Sequence, residues 1–126
     1  MRLVSLWCLV VALSACAMFG ASRPSYLVYF PERSAQLDAA ANKVIVLAAK
    51  RAAENPSAQV DVVGYTDSAG SPRADVLLSQ QRAQKVADAL VAHGVAASRL
   101  VRTGAGQTNE NPGLASRRVE IAIAGN

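Results

Sequence analysis

Short strand patterns and longer helical patterns alternate along most of this 126-residue chain. Four short segments are apolar or alternate apolar with polar residues, which predicts strands: Tyr26–Phe30, Gln59–Tyr65, Leu100–Thr103 and Arg118–Ile123. Two longer segments repeat apolar residues at helical spacing: Ala35–Glu54 and Asp75–His93. The predicted order is therefore β-α-β-α-β-β, with a polar loop at Gly104–Ser116 before the last strand.

This order predicts a two-layer α/β sandwich of the α+β kind, with both helices on one face of a mixed sheet. Each helix and the sheet can bury an apolar side only against a second layer. Strands that are joined through a helix should run parallel. We expect Ser34 to cap the first helix and Gly94 to follow the second. With 52% hydrophobic residues, the chain can form one domain with a packed core.

The N-terminus has the pattern of an export signal. An apolar run of about eleven residues, Leu3–Leu13, follows Arg2; it is too short to span a membrane, which takes about 20 residues, and has the length of a signal core. Leu13-Ser14-Ala15-Cys16 resembles a bacterial lipobox, which implies cleavage before Cys16 and lipidation of its thiol. An ordinary signal peptide or a membrane anchor remains an alternative.

We therefore predict three parts: a signal peptide at 1–15, a lipidated N-terminus with a short tether at 16–25, and one domain at 26–126. The residue after the cysteine is Ala17 rather than aspartate, which is similar to lipoproteins of the outer membrane. With Cys16 acylated, for example by palmitate, the mature chain has no thiol for a disulfide. The extended tether reaches at most about 30 Å, so the domain should lie near its membrane.

Composition argues against several kinds of site. One histidine and two cysteines exclude a zinc site built from several such ligands, and we predict no cofactor and no metal. Aromatic residues make up 5%, and no Lys/Arg run is longer than two, so nucleic acid is not an expected partner. His93 stands at a predicted helix end, without the pattern of a nucleophile and its base. We predict that the protein is not an enzyme.

The second helix carries a charge on its apolar face. At about 100° per residue, Arg82 lies among Leu78, Val86 and Leu90. A buried guanidinium costs several kcal/mol unless it is paired, and the nearest candidate partner is Asp67, in the loop before the helix. The two residues could form a structural salt bridge. They could also form a receptor, because arginine grips carboxylates and aspartate accepts an ammonium group.

Four motifs then appear in order, and together they resemble the signature of the OmpA-like C-terminal domain family. The motifs are Gly64-Tyr65-Thr66-Asp67, Leu78-Ser79-Gln80-Gln81-Arg82-Ala83, Gly104-Ala105-Gly106-Gln107 and Arg117-Arg118-Val119-Glu120-Ile121. The resemblance covers roughly Tyr26 to Ile123. It implies a βαβαββ fold, which agrees with the order predicted from the strand and helix patterns.

The resemblance also implies a function. Members of this family bind peptidoglycan non-covalently, through the diaminopimelate of its stem peptide. Asp67 would take the ammonium group and Arg82 the carboxylate, Thr66 would offer backbone contacts, and Arg117 or Arg118 would line the pocket. A lipid-anchored protein of this kind would face the periplasm and tether the outer membrane to the cell wall.

Asp75 and Arg33 are among the residues that depart from the family pattern. Asp75 stands where the family has asparagine; an ionised aspartate only accepts hydrogen bonds, so it would repel a ligand carboxylate or compete for Arg82. Arg33 stands where aspartate or asparagine is usual, shortly after Phe30. These departures leave a second hypothesis open: a lipid-anchored module of the same fold that binds other envelope proteins, with degenerate peptidoglycan binding.

Overall fold

A computed structural model of the protein describes residues 25–67, 70–108 and 113–124. The predicted signal peptide, Cys16 and the tether up to residue 24 lie outside the described residues. The described strands are β1 (Ser25–Tyr29), β2 (Val60–Thr66), β3 (Leu100–Gln107) and β4 (Arg118–Ile123). The helices are α1 (Ala39–Glu54) and α2 (Pro72–Ala92), and short 3₁₀ turns lie at Ala97–Arg99 and Leu114–Ser116.

The strands form one mixed sheet in the order β1-β4-β2-β3. The chain's last strand, β4, lies between β1 and β2 and runs antiparallel to both. Strands β2 and β3, which α2 connects, are parallel, as expected for a helical crossover. The predicted element order and the mixed sheet are confirmed.

One face of the sheet packs against both helices. Strand residues on this face are buried while their neighbours in sequence are partly exposed, as the alternation of a pleated strand requires. The core consists of aliphatic side chains from both layers, with Phe30 at its edge. Its fully buried strand members include Val28, Val60, Val62, Val119 and Ile121, and α1 and α2 add Ile45, Ala48, Val86 and Leu90. This arrangement confirms the two-layer sandwich.

Both helices begin at other residues than predicted. Helix α1 starts four residues later, because the side chain of Asp38 accepts a hydrogen bond from the Ala41 amide at 2.7 Å and so caps it. The Ser34 hydroxyl instead accepts from the Gln36 amide in the preceding turn. Helix α2 starts earlier, at Pro72, with Ser71 as its cap; proline suits a first turn because its missing N–H has no partner there in any helix.

Strand β3 is longer than predicted and includes part of the segment expected to be a loop. Its glycines let the backbone of α2 approach closely: a Cβ at Gly104 would lie 2.7 Å from the Gln80 amide nitrogen. A Cβ at Gly64, on β2, would collide with the carbonyl oxygen of Ser79. At these positions glycine permits the helix to pack closely on the sheet. Glycine is also common in turns, and the sequence pattern does not distinguish the two roles.

Candidate functional site

Charged side chains from separate segments meet where β2 ends. Asp67 follows β2, Asp75 and Arg82 lie on α2, and Arg117 precedes β4. Because β2 and β3 are parallel, their carboxyl ends lie at one edge of the sheet, which also brings Gln107 to this place. The loop after β1 completes the cluster with Arg33.

The Arg82 side chain is fully buried and bonded to backbone oxygens. Its Nε donates to the Ser34 carbonyl at 2.8 Å, Nη1 to the Tyr65 carbonyl at 3.0 Å and Nη2 to the Pro31 carbonyl at 3.1 Å. Its Cζ also lies 5.2 Å from the centre of the Phe30 ring. The planar fork of the guanidinium thus joins α2 to β2 and to the loop after β1.

The direct Asp67–Arg82 ion pair that the sequence suggested is not formed. Asp67 Oδ2 instead lies 3.3 Å from Arg117 Nη1, while Arg117 Nε donates to the Phe30 carbonyl at 3.2 Å. Carbonyl groups from β2 and from the loop after β1 already bind the Arg82 guanidinium, and only the folded chain brings these two segments together. Burial lowers the pKa of Arg82 to about 10, partly offset by the nearby charge of Asp67, so Arg82 stays protonated at neutral pH.

Asp75 does not take Arg82 away from a ligand, as the sequence had suggested that it could. Its buried carboxylate accepts from Gln107 Nε2 at 2.6 Å and from Arg33 Nη1 at 3.3 Å. The residue lies in the first turn of α2, where the helix dipole favours a negative charge. Two donors and the dipole therefore stabilise the Asp75 carboxylate, which, among the described residues, forms no hydrogen bond with Arg82.

Of the two adjacent arginines, the structure brings Arg117 to Asp67 and places Arg118 on the opposite face of the sheet. Successive strand residues point to opposite faces. The Cζ of Arg118 lies 4.6 Å from the centre of the Tyr65 ring, and its Nε donates to Glu120 at 2.9 Å. Arg118 is therefore not part of the charged cluster around Asp67.

The side chain of Thr66, and not only its backbone, has a notable environment. Its hydroxyl is buried and, within the described part of the chain, has no hydrogen-bond partner. A buried polar group without a partner costs about 1–3 kcal/mol. The Thr66 carbonyl, in contrast, accepts from the Thr108 amide at 3.1 Å. Within the described residues, the Thr66 hydroxyl is thus a buried polar group whose hydrogen-bonding capacity is unused.

Sequence reasoning did not identify two contributors to the site. Gln107 bridges the Asp75 carboxylate and the Gly70 carbonyl through its Nε2, at 2.6 and 3.2 Å. Arg33 was noticed only as a departure from a family pattern. The position of Gln107 at the end of the Gly104-Ala105-Gly106-Gln107 motif was the available signal, but which group it would contact depended on how β3 lies beside α2.

The cluster holds three guanidinium groups and two carboxylates, from Arg33, Arg82, Arg117, Asp67 and Asp75. Such a set can receive carboxylates through the guanidinium groups and an ammonium group through Asp67. Within residues 25–67, 70–108 and 113–124, no three His, Cys, Asp or Glu side chains are grouped as metal ligands. Over the same ranges, neither helix is long and apolar enough to cross a membrane.

Comparison with known proteins identifies relatives in the cell envelope. The model of the OmpA family matches residues 29–120. "Probable lipoprotein YiaD" of Escherichia coli K12 is 38% identical over 104 residues, which are 77% of this chain and 48% of that protein. "Peptidoglycan-binding protein ArfA" of Mycobacterium tuberculosis H37Rv is 43% identical over 75 residues, which are 54% of this chain and 23% of ArfA. The chain thus spans half or less of the length of these relatives.

Solved structures share the fold. The peptidoglycan-associated lipoprotein from Burkholderia pseudomallei superposes with a TM-score of 0.71 at 23% identity, over 82% of this chain and 92% of that one. An outer membrane protein from Borrelia burgdorferi B31 gives 0.68 at 26% identity, over 80% and 87%. With the family model matching most of the sequence and the same fold in these structures, the chain belongs to the OmpA family.

Proposed function

We propose that this protein binds peptidoglycan non-covalently, through the diaminopimelate of the stem peptide, and so tethers the outer membrane to the cell wall. The observation that carries the proposal is the proximity of two groups at the end of β2: the carboxylate of Asp67, which can accept from an ammonium group, and the buried guanidinium of Arg82, which can donate to a carboxylate. The names of ArfA and of the Burkholderia lipoprotein, which refer to peptidoglycan, support it.

The chemistry of the ligand suits this pair. The free end of diaminopimelate carries an ammonium group and a carboxylate on one carbon. Arg82 has five N–H donors and uses three of them on carbonyl groups, so two remain for a carboxylate. Asp67 would take the ammonium group in exchange for its 3.3 Å contact with Arg117. The Thr66 hydroxyl would gain the hydrogen bond that it lacks in the free protein.

The proposal is binding without catalysis. His93, the chain's one histidine, lies exposed after the C-terminal end of α2, whereas the charged cluster lies toward the other end of that helix. The carboxylates of the cluster have arginine partners, which suits a receptor for charged groups. We therefore assign no enzymatic role to these residues.

We further infer that the chain is anchored in the outer membrane by lipid on Cys16, with its domain facing the periplasm. The lipobox-like Leu13-Ser14-Ala15-Cys16 supports this inference, as does the description of YiaD as a probable lipoprotein. A short tether would keep the charged cluster within reach of the inner side of the membrane and of the wall beneath it.

Sedimentation with purified cell wall tests the proposed function. The full chain, purified in detergent, is mixed with diaminopimelate-type sacculi and, separately, with a lysine-type wall, and should sediment only with the first. Asp67→Asn should lower the apparent affinity for diaminopimelate-type sacculi at least about 30-fold. The reason is that it removes the negative charge that would face the ammonium group. Asp88→Asn, the same change at an exposed position of α2, serves as the matched control and should bind like wild type.

Arg82→Ala is not a suitable variant for this experiment, because the side chain also bonds to three carbonyls and its loss should destabilise the fold. If folded wild type stays in solution with both walls, the peptidoglycan proposal is refuted. The remaining hypothesis is then the interaction module for other envelope proteins.

A further inference from the structure

Arg33 lies in the loop after β1, beside the buried Arg82. It lies between Pro31 and Ser34, whose carbonyls both accept hydrogen bonds from Arg82. Its side chain therefore starts from the loop that forms one wall of the Arg82 site. Its φ of 53° is the one positive value among the described non-glycine residues, a conformation that costs an ordinary side chain about 1–2 kcal/mol. Such strain is often found at functional positions.

The guanidinium of Arg33 is available to a ligand. Its side chain is 49% exposed, and its polar partner among the described residues is Asp75, through a single contact of 3.3 Å. A Cβ at Gly70 would lie 2.7 Å from Arg33 Nη1, so this glycine leaves room for the guanidinium at the rim of the site. Most of the five N–H donors of Arg33 are thus open to solvent or to a bound group.

Asp75 keeps a hydrogen-bond donor when Arg33 turns toward a ligand. The shorter of its two side-chain hydrogen bonds, 2.6 Å, comes from Gln107, and its position in the first turn of α2 stabilises its charge independently. If Arg33 left Asp75 and bound a ligand carboxylate, the buried Asp75 carboxylate would therefore still accept a hydrogen bond from Gln107.

Among the described side chains of the cluster, three guanidinium groups face two carboxylates, which leaves one positive charge in excess within this set. A zwitterionic ligand has no net charge and would leave that excess in place. A ligand with one ammonium group and two carboxylates would neutralise it, and complementary charge favours such a partner.

We propose that Arg33 binds the second carboxylate of diaminopimelate, the one outside the zwitterionic end, and so makes the site selective for a stem peptide in which that carboxylate is free. Asp75 holds Arg33 in the free protein. This proposal rests on the proposed peptidoglycan function, because the zwitterionic end would occupy Asp67 and Arg82.

Two peptides and isothermal titration calorimetry with the full chain in detergent test this. One peptide is a stem tripeptide ending in diaminopimelate; the other has its C-terminal carboxylate converted to a carboxamide, with the zwitterionic end unchanged. Wild type should bind the free acid about tenfold more tightly than the amide, the value of one charge-assisted contact at a partly exposed site. Arg33→Gln should bind both peptides equally, at the wild-type affinity for the amide.

Arg73→Gln is the matched control, since it removes the same charge from an exposed position in the first turn of α2, and it should keep the tenfold preference. Arg33→Gln/Asp75→Asn removes both members of the pair and should also lose the preference; it serves where the single variant fails to fold. Equal binding of both peptides by wild type, or an unchanged preference in the Arg33 variants, would overturn the proposal while the peptidoglycan function stands. Binding of neither peptide by wild type would refute both.

Discussion

At the scale of single residues, Arg82 combines a structural role with the proposed receptor role. Its three bonds go to carbonyls of Pro31, Ser34 and Tyr65, which belong to two segments far apart in sequence. A guanidinium meets three such acceptors because its donors lie in one plane and point in different directions. The fold and the site therefore depend on the same side chain.

Arg82→Lys should lower the free energy of unfolding by about 2–4 kcal/mol, because a lysine ammonium cannot span the three carbonyls and leaves buried acceptors without donors. Urea unfolding measures the difference. Arg102→Lys, at an exposed arginine that donates to Gln84, is the control and should change stability by less than about 0.5 kcal/mol. Equal effects of the two changes would contradict this role of Arg82.

Thr66→Val should leave the free energy of unfolding unchanged or raise it by up to about 1 kcal/mol, because the buried hydroxyl has no partner to lose. The same variant should bind diaminopimelate-type sacculi more weakly, since the hydroxyl would meet the ligand. Ser79→Ala is the contrast: its hydroxyl donates to the Val76 carbonyl and accepts from the Gly106 amide, so its loss should cost about 1–2 kcal/mol. Destabilisation by Thr66→Val to the same extent would argue against an unpartnered hydroxyl.

At the scale of elements, the start of α1 sets where the loop before it ends. Because α1 begins at Ala39, the segment from Pro31 to Asp38 remains free of helix, and two of its carbonyls can turn toward Arg82. A helix that began at Ala35, as the apolar spacing suggested, would remove part of this loop. The cap therefore contributes indirectly to the geometry of the site.

Asp38→Ala should lower the free energy of unfolding by about 1 kcal/mol, the usual cost of losing a helix cap. Ser34→Ala should cost less, because its hydroxyl accepts one hydrogen bond in an exposed turn. Thermal or urea unfolding of the two variants compares them directly. A larger loss of stability in Ser34→Ala than in Asp38→Ala would instead identify Ser34 as the helix cap.

At the scale of the whole molecule, the proposed anchor decides where the binding site works. Cys16→Ser should move the protein from the membrane fraction to the soluble periplasmic fraction and abolish labelling by palmitate. Binding of the purified protein to sacculi should stay the same, because the charged cluster lies in the described domain. Retention of Cys16→Ser in the membrane would favour an uncleaved N-terminal anchor instead of a lipid.

Much of the fold could be predicted because it depends on local patterns. Period-2 and period-3.6 repeats identified all four strands and both helices in order, and the crossover rule predicted that β2 and β3 run parallel. The errors lie at element ends, where a side-chain cap or close packing decides. Asp38 rather than Ser34 caps α1. The glycines of β3 allow α2 to pack closely on the strand, whereas the sequence pattern had predicted a loop there.

The sequence predicted most residues of the site, but it did not predict which of them contact each other. Helical spacing alone predicted that Arg82 is buried, because it lies on the apolar face of α2, and the strand pattern located Asp67 at the end of β2. The pairing of Asp67 with Arg117, and of Asp75 with Arg33 and Gln107, is a property of the folded chain. These partners come from segments far apart in sequence, and a local pattern carries no information about which distant groups the packing of the layers brings within hydrogen-bonding distance.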